Sequence, residues 1–246
     1  MRCVIMQPTY LPWMGYFDLI AQSDVFVLLD TVQFEKQSWQ QRNRIKTAQG
    51  ALWLTVPVLR RLESRIHEVQ IDPRADLLRK HWGTIEMAYR STPHFATFAP
   101  ALRALYEREW TYLAELNCAF IQVLCDLLGV QATLVRASQL PPLPGKREGL
   151  IIALCQYFGA SEFLSAAGAR DYLCDETPFV EAGITLRFHH YCHPVYPQKY
   201  GEFMPYLSVI DLLFNAGNQS LNVILSGRRE SLPLAGAEGI VMAPEA

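Results

Sequence analysis

Two short apolar runs near the start, residues 3–6 (Cys3, Val4, Ile5, Met6) and residues 25–29 (Val25 to Leu29), stand about twenty residues apart, and residues 15–22 between them read as a helix. A strand, a crossover helix and a second strand at this spacing form a βαβ unit. The same alternation continues along the chain. Strands are expected at 52–56, 66–71, 132–135, 162–165 and 184–191. Residues from Asp72 onward take a helical period, with Leu77, Leu78, Trp82, Ile85 and Tyr89 on one face. A second, longer helical stretch runs from Leu102 through Leu105, Leu113, Leu116, Phe120 and Leu124 to Leu127, and Gly129 stops it. After a proline-rich loop at 141–145 come a helix at 150–158 and a last helix that Ser208 caps, with Asp211 at its third position and an end near Gly217. The fold class is therefore α/β: a three-layer, mainly parallel sheet with a helical insertion at about 73–128. We read residues 1–230 as one domain and residues 231–246, rich in Ala, Gly, Pro and Glu, as a loose tail.

Composition narrows the partners. The chain has 246 residues, 50% hydrophobic and 19% charged, with a net charge of -2. That balance lacks the basic excess that binding to a phosphate backbone needs, so nucleic acid is not the expected partner. No run is long enough to span a membrane, and Gln7 and Pro8 interrupt the opening apolar run before it resembles a signal peptide, so a cytoplasmic location is expected. Six scattered cysteines without a CxxC pair read as reduced thiols.

In open α/β sheets ligands bind at the carboxyl ends of strands, so the loops after strands are the places to look. Residues 7–16 place two prolines, Tyr10, Trp13, Tyr16 and Gln7 between a strand and a helix N-terminus. These aromatics either seal the sheet edge or line a pocket. Asp30 leaves the second strand and is followed by Gln33, Trp39, Arg42, Asn43, Arg44 and Lys46. The three cations alternate as on a strand, and form either a clamp for a phosphate or carboxylate or a solvated face. His81 lies beside an apolar stripe, where packing is the plainer role. His189, His190, Cys192 and His193 crowd into five residues. On one strand they divide between two faces, which leaves a zinc site short of ligands and Cys192 without a visible base. Residues 165–172 are small after a strand but contain neither GxGxxG nor a Walker lysine.

The segments 7–16, 29–34 and 39–46, the run Lys80, His81, Trp82, the pattern at 164–173, the group His193, Pro194, Tyr196, Gln198 and the segment 207–217 together resemble the WbqC-like protein family across nearly the whole chain. One departure is Ala166, where glycine is expected after Ser165. The resemblance implies a place in bacterial O-antigen, other surface-polysaccharide or secondary-metabolite biosynthesis, among aminosugars that carry amino-acid or acyl groups. It implies an aminoacyl or acyl transferase, or an amide-forming ligase. Asp30 or His81 would be the base; Tyr16 is the third catalytic candidate, and with Gln7 it would orient the acceptor. Arg42 or Lys80 would hold an anionic donor or nucleotide-sugar. Tyr10, Trp13, Gln33, Trp39, Asn43, Ser165, Gly168, Tyr172, His193, Tyr196 and Gln198 would complete the substrate site. The cofactor stays open between ATP and an acyl-carrier thioester, an acyl-carrier protein is the implied protein partner, and no metal is assigned. A more distant likeness, to the nucleotidyltransferases and pantoate ligases of HUP-like fold, places Trp13 and Tyr16 where those enzymes carry phosphate-binding histidines, so it supports the fold more than the reaction. The rival reading is a module of the same pathway that holds a glycan or partner without chemistry.

Overall fold

In a computed structural model that describes residues 1–59, 63–74 and 76–236, the opening unit is β1 (Arg2–Met6), α1 (Met14–Ala21) and β2 (Val25–Leu28), with β1 and β2 parallel in register from Cys3 opposite Val25 to Met6 opposite Leu28. The chain then makes an antiparallel hairpin, β3 (Arg42–Thr47) and β4 (Gly50–Thr55), and a two-residue pairing of β5 (Val58–Leu59) with β6 (Gln70–Ile71). Three helices follow: α2 (Leu77–Tyr89), α3 (Phe95–Tyr106) and α4 (Leu113–Leu128). The rest alternates as β7 (Thr133–Arg136), α5 (Glu148–Tyr157), β8 (Glu162–Ser165), α6 (Thr177–Glu181) and β9 (Thr185–Phe188), and ends in α7 (Val209–Ala216) and α8 (Ser220–Ser226).

Five of these strands form one parallel sheet in the order β7-β2-β1-β8-β9. The chain winds outward from β1 to β7, then returns to add β8 and β9 on the other side. The winding reverses between β1 and β8, where an open α/β sheet has its ligand crevice. The ladders agree with this. The other three neighbours share four residue pairs each, whereas β1 and β8 share two, Arg2 with Glu162 and Cys3 with Phe163, and are unpaired towards their carboxyl ends.

Both faces of the sheet are covered, so its strands are apolar on both sides. Cys3, Ile5, Val25, Val27, Phe163 and Phe188 pack with Ile151, Leu154 and Cys155 of α5 and Phe179 of α6. Val4, Phe26, Leu28 and Leu164 point the other way, into a larger core with residues of α1, α4 and α7 such as Phe17, Phe120 and Phe214. The result is a three-layer α/β fold. Trp82, Ile85 and Tyr89 of α2 are buried as expected; the side chains of Leu77 and Leu78 lie outside the described residues.

Several boundaries differ from the sequence reading. The long helical stretch divides into α3 and α4. Trp110 Nε1 donates to the Leu105 carbonyl at the end of α3, and Ile71 N donates to the Thr111 carbonyl, which draws residues 110–112 towards β6. The strand expected at 66–71 is only Gln70–Ile71, because Ile66–Glu68 forms a 3-10 turn in which Glu68 accepts from the Arg65 backbone. The strand expected at 184–191 stops at Phe188. Beyond it Cys192 N donates to the Gly227 carbonyl and Arg229 N to His190, so the chain leaves the sheet to meet residues 227–229. The start of the expected loose tail is held, since Phe188 and Leu232 exchange both backbone hydrogen bonds; residues 237–246 lie outside the described residues.

Candidate functional site

The loop after β1 is tied to β3 by side chains. Asn43 Nδ2 donates to the carbonyls of Tyr10 and Leu11 (3.3 and 2.7 Å), and Gln40 Nε2 donates to Gln7 Oε1 (2.8 Å). Leu11 adopts φ 46°, a left-handed conformation that costs a leucine about 1–3 kcal/mol, and Asn43 fastens that turn. Trp13, at the N-cap of α1, folds back over Gly15, where a Cβ would stand 2.2 Å from the indole Cη2; only glycine fits beneath it.

The Trp13 indole is the centre of an aromatic group. It stacks on His193 (centroids 6.0 Å apart) and packs against Tyr191 and Tyr206 (5.6 and 5.4 Å). Tyr206 is also left-handed, with φ 58°, and its backbone N–H is held by His193 Nε2. The group adjoins β3: Trp13 pairs with Ser208, whose N–H donates to the Arg44 carbonyl (2.9 Å). On β3 the Arg42 and Arg44 guanidinium carbons lie 4.2 and 5.5 Å from the Trp53 ring centre, and Trp39 packs against Trp53 at 5.4 Å. Lys46, third in that alternation, is fully buried, with its ammonium bonded to Gln198 Oε1 (3.1 Å) and the Glu202 carbonyl. Gln198 and Tyr196 in turn donate to Asp211 of α7, as does Tyr89. Burial raises the Asp211 carboxyl above its ordinary range.

The histidines fall into different states. His193 is neutral: Nδ1 donates to the Pro194 carbonyl, Nε2 accepts from Tyr206, and burial lowers its pKa. His81 is buried in the helical layer, its Nδ1 bonded to the Tyr10 hydroxyl (3.0 Å), which also meets the Tyr106 hydroxyl (2.6 Å). Burial pushes the His81 pKa down from 6.5 to about 4, against a hydrogen bond with the Thr55 backbone. Unfolded chain therefore binds a proton that the native state refuses. Native stability from this group is complete above pH 6.5 and is lost as the pH falls towards 4, by a total on the order of 3 kcal/mol. Urea unfolding at pH 7 and pH 4.5 should show this loss in the wild type and a much flatter response in His81→Gln.

His189, one residue beyond β9, has another arrangement. Its backbone N–H donates to the Ser165 carbonyl at the carboxyl end of β8, and its ring stacks on Tyr191 (5.5 Å). Nε2 lies 2.7 Å from Oδ2 of Asp18, a fully buried carboxylate in the middle of α1. Gln22 Nε2 and Arg228 Nε also donate to Asp18 (2.7 and 2.9 Å). With Nε2 engaged by the carboxylate, Nδ1 has no hydrogen-bond partner among the described residues. In the neutral ring, a hydrogen bond from Nε2–H to Asp18 places the lone pair on Nδ1.

The remaining sequence candidates are distributed as follows. Asp30 is fully buried, and its carboxylate is occupied by Arg136 Nε, Ser138 N and Ser138 Oγ at 2.7–3.0 Å. Tyr16 is buried in the core and donates to the Gln7 carbonyl (3.1 Å). Tyr10 is fully buried. Ser165 is buried at the end of β8, while Gly168 and Tyr172 are exposed around the 3-10 turn Ala167–Asp171. Gln33 is exposed and pairs with Arg65, and Lys80 is exposed on α2. Gln7, Tyr10, Trp13, Trp39, Arg42, Asn43, His193, Tyr196 and Gln198 are brought into one connected region; among the described residues no side-chain hydrogen bond, ion pair or ring contact joins Asp30, Lys80, Gly168 or Tyr172 to it. The sequence reading assigned no role in the site to Asp18, Trp53, His189, Tyr206 or Arg228. Of these, only the cluster around His189 carried a signal in the sequence. Among the described residues no group of three or more His, Cys, Asp or Glu is placed to hold a metal ion, and no helix is long and apolar enough to cross a membrane.

Comparison with known proteins places this geometry in a family. The model of the WbqC-like protein family matches residues 7–223. A curated relative, "Uncharacterized protein Rv1507c" of Mycobacterium tuberculosis (strain ATCC 25618 / H37Rv), is 39% identical over 223 residues, covering 89% of this chain and 95% of the relative. No solved structure matches. With the family model matching residues 7–223 and a relative 39% identical over 89% of this chain's length, the chain belongs to the WbqC-like protein family.

Proposed function

We propose that this protein forms an amide, transferring an amino-acid or acyl group to an amine such as that of an aminosugar, in the assembly of a bacterial surface polysaccharide or secondary metabolite. The observation that carries this reading is the pairing of His189 with buried Asp18 at the carboxyl edge of the sheet, through Tyr191 next to the Trp13 platform. Amide formation needs a base for the attacking amine. His189 Nδ1 takes the amine proton as the nitrogen attacks the acyl carbonyl, and the same proton then goes to the leaving group, a thiolate or a phosphate ester. Asp18 stabilises the imidazolium between those steps. The base role moves here from Asp30 and His81, whose polar groups are already engaged. Trp13, with His193 and Tyr206, gives a face on which a sugar ring can stack, while Tyr16, Gln7 and Asn43 hold the loop that carries it. The strand order supports the likeness to the HUP-like nucleotidyltransferases at the level of fold. The activated donor is either an acyl-carrier thioester or an acyl group activated with ATP.

Purified protein should convert an aminosugar nucleotide to its amide, detected by mass spectrometry, when given an aminoacyl- or acyl-carrier thioester or an amino acid with ATP. Absence of amide with every donor, alongside tight binding of the sugar, would favour the glycan-holding module, for which the same aromatic platform suffices.

A further inference from the structure

We infer that Arg42 and Arg44, seated on Trp53, form a binding site for the diphosphate of a nucleoside diphosphate. The assignment deepens the proposed function by naming the class of its nucleotide-linked substrate, and it rests on that site but not on the reaction. The two guanidiniums approach one indole ring, at 4.2 and 5.5 Å, on adjacent outward positions of β3. Between them they carry ten N–H donors. Neither side chain has a hydrogen-bond acceptor, or a carboxylate within 4 Å, among the described residues, and the Nε of each is enclosed without a partner. Elsewhere half-buried arginines do find acceptors: Arg136 bonds Asp30, Arg228 bonds Asp18 and Arg187 bonds the Ser231 carbonyl.

Two like charges held against one ring repel each other, and enclosed donors without acceptors cost stability. Stacking on Trp53 offsets part of this. A ligand with two adjacent oxyanions answers both costs, one phosphoryl group for each guanidinium fork, whereas a single carboxylate would neutralise only one. Lys46 does not add a third charge, because its ammonium is spent on Gln198 and Glu202. Trp39, half-buried with its ring 5.4 Å from that of Trp53, supplies an aromatic surface for the base, and the Ser208 link from Arg44 to Trp13 puts the sugar-stacking platform next to the anion site.

Calorimetric titration of the full chain with UDP, inorganic pyrophosphate, UMP and ATP tests the assignment. UDP and pyrophosphate should bind, UMP should bind about tenfold more weakly, and Arg42→Gln and Arg44→Gln should each weaken UDP by about tenfold or more, since each removes one bidentate fork. Arg42→Lys should not restore binding, and Arg103→Gln, an exposed arginine on α3 paired with Glu107, should leave it unchanged. Thermal melts of each variant show that it is folded. The assignment is overturned if neither UDP nor pyrophosphate binds, if ATP alone binds, if UMP equals UDP, or if both glutamine variants bind like the wild type. Diphosphate binding without amide formation defeats the proposed reaction and leaves this site standing; amide formation without diphosphate binding does the reverse.

Discussion

Replacing His189 with glutamine should lower the turnover of amide formation by roughly 10²–10⁴-fold, the usual contribution of a positioned general base, with KM for the aminosugar nucleotide little changed. Glutamine keeps the size and one polar contact with Asp18 but cannot accept the proton. Asp18→Asn should cost a comparable factor, because an amide in place of the carboxylate neither fixes the tautomer nor stabilises the imidazolium. A structural clamp would behave differently: losing it would lower the melting temperature and affect binding and turnover together. Rescue separates the two further. In His189→Ala, added imidazole should restore part of the turnover, an outcome that a purely structural role does not produce. Normal turnover in folded His189→Gln would remove the base from the scheme.

The largest expected loss of stability is at Asp211. Its carboxylate accepts from the Tyr89 and Tyr196 hydroxyls and Gln198 Nε2 at 2.8–2.9 Å, and Asp211, both tyrosines and the neighbouring Lys46 are buried. Asp211→Ala removes the shared acceptor: it strips the Tyr89 and Tyr196 hydroxyls of their partner, leaves Gln198 Nε2 with only the Met204 carbonyl and the Tyr196 hydroxyl, and takes the nearby negative charge from the Lys46 ammonium. Breaking a buried charged network from one side costs about 3–5 kcal/mol, against a total stability of about 5–15 kcal/mol for a typical domain. The urea midpoint should fall accordingly, and Asp211→Asn, which retains an oxygen acceptor, should lose less. A loss below about 1 kcal/mol would mean that the network contributes little beyond its packing.

Local signals account for what the sequence revealed. Runs such as Val25 to Leu28 are apolar on both faces because the parallel sheet is covered on both sides, and Gly129 ends α4 with φ 73° as its position implied. Ser208 caps α7 with Asp211 at the third position, where the hydrogen bond from Ile210 is local. The site was legible only in part. Asp18 reads as the polar residue of an amphipathic helix, and nothing near it in the chain shows that His189 and Arg228, 171 and 210 residues away, will bury it. Asp30 and His81 looked available because their partners, Arg136, Ser138 and Tyr10, are also distant. The continuous helix expected from Leu102 to Leu127 failed for the same reason: residues 110–112 fit a helical pattern locally, but backbone pairing of Thr111 and Tyr112 with distant β6 draws them out of it.

The reciprocal bonds between Phe188 and Leu232 bear on how copies of this molecule meet one another. β9 is the last strand of the sheet, and an outer strand with free backbone groups invites a neighbouring chain to add itself there. Leu232 occupies the end of that border, and Arg187 reaches across to the Ser231 carbonyl (2.6 Å). The segment after α8 therefore serves as a selvedge at one end of β9: it takes up the backbone groups of Phe188, so that an added strand cannot pair at that residue.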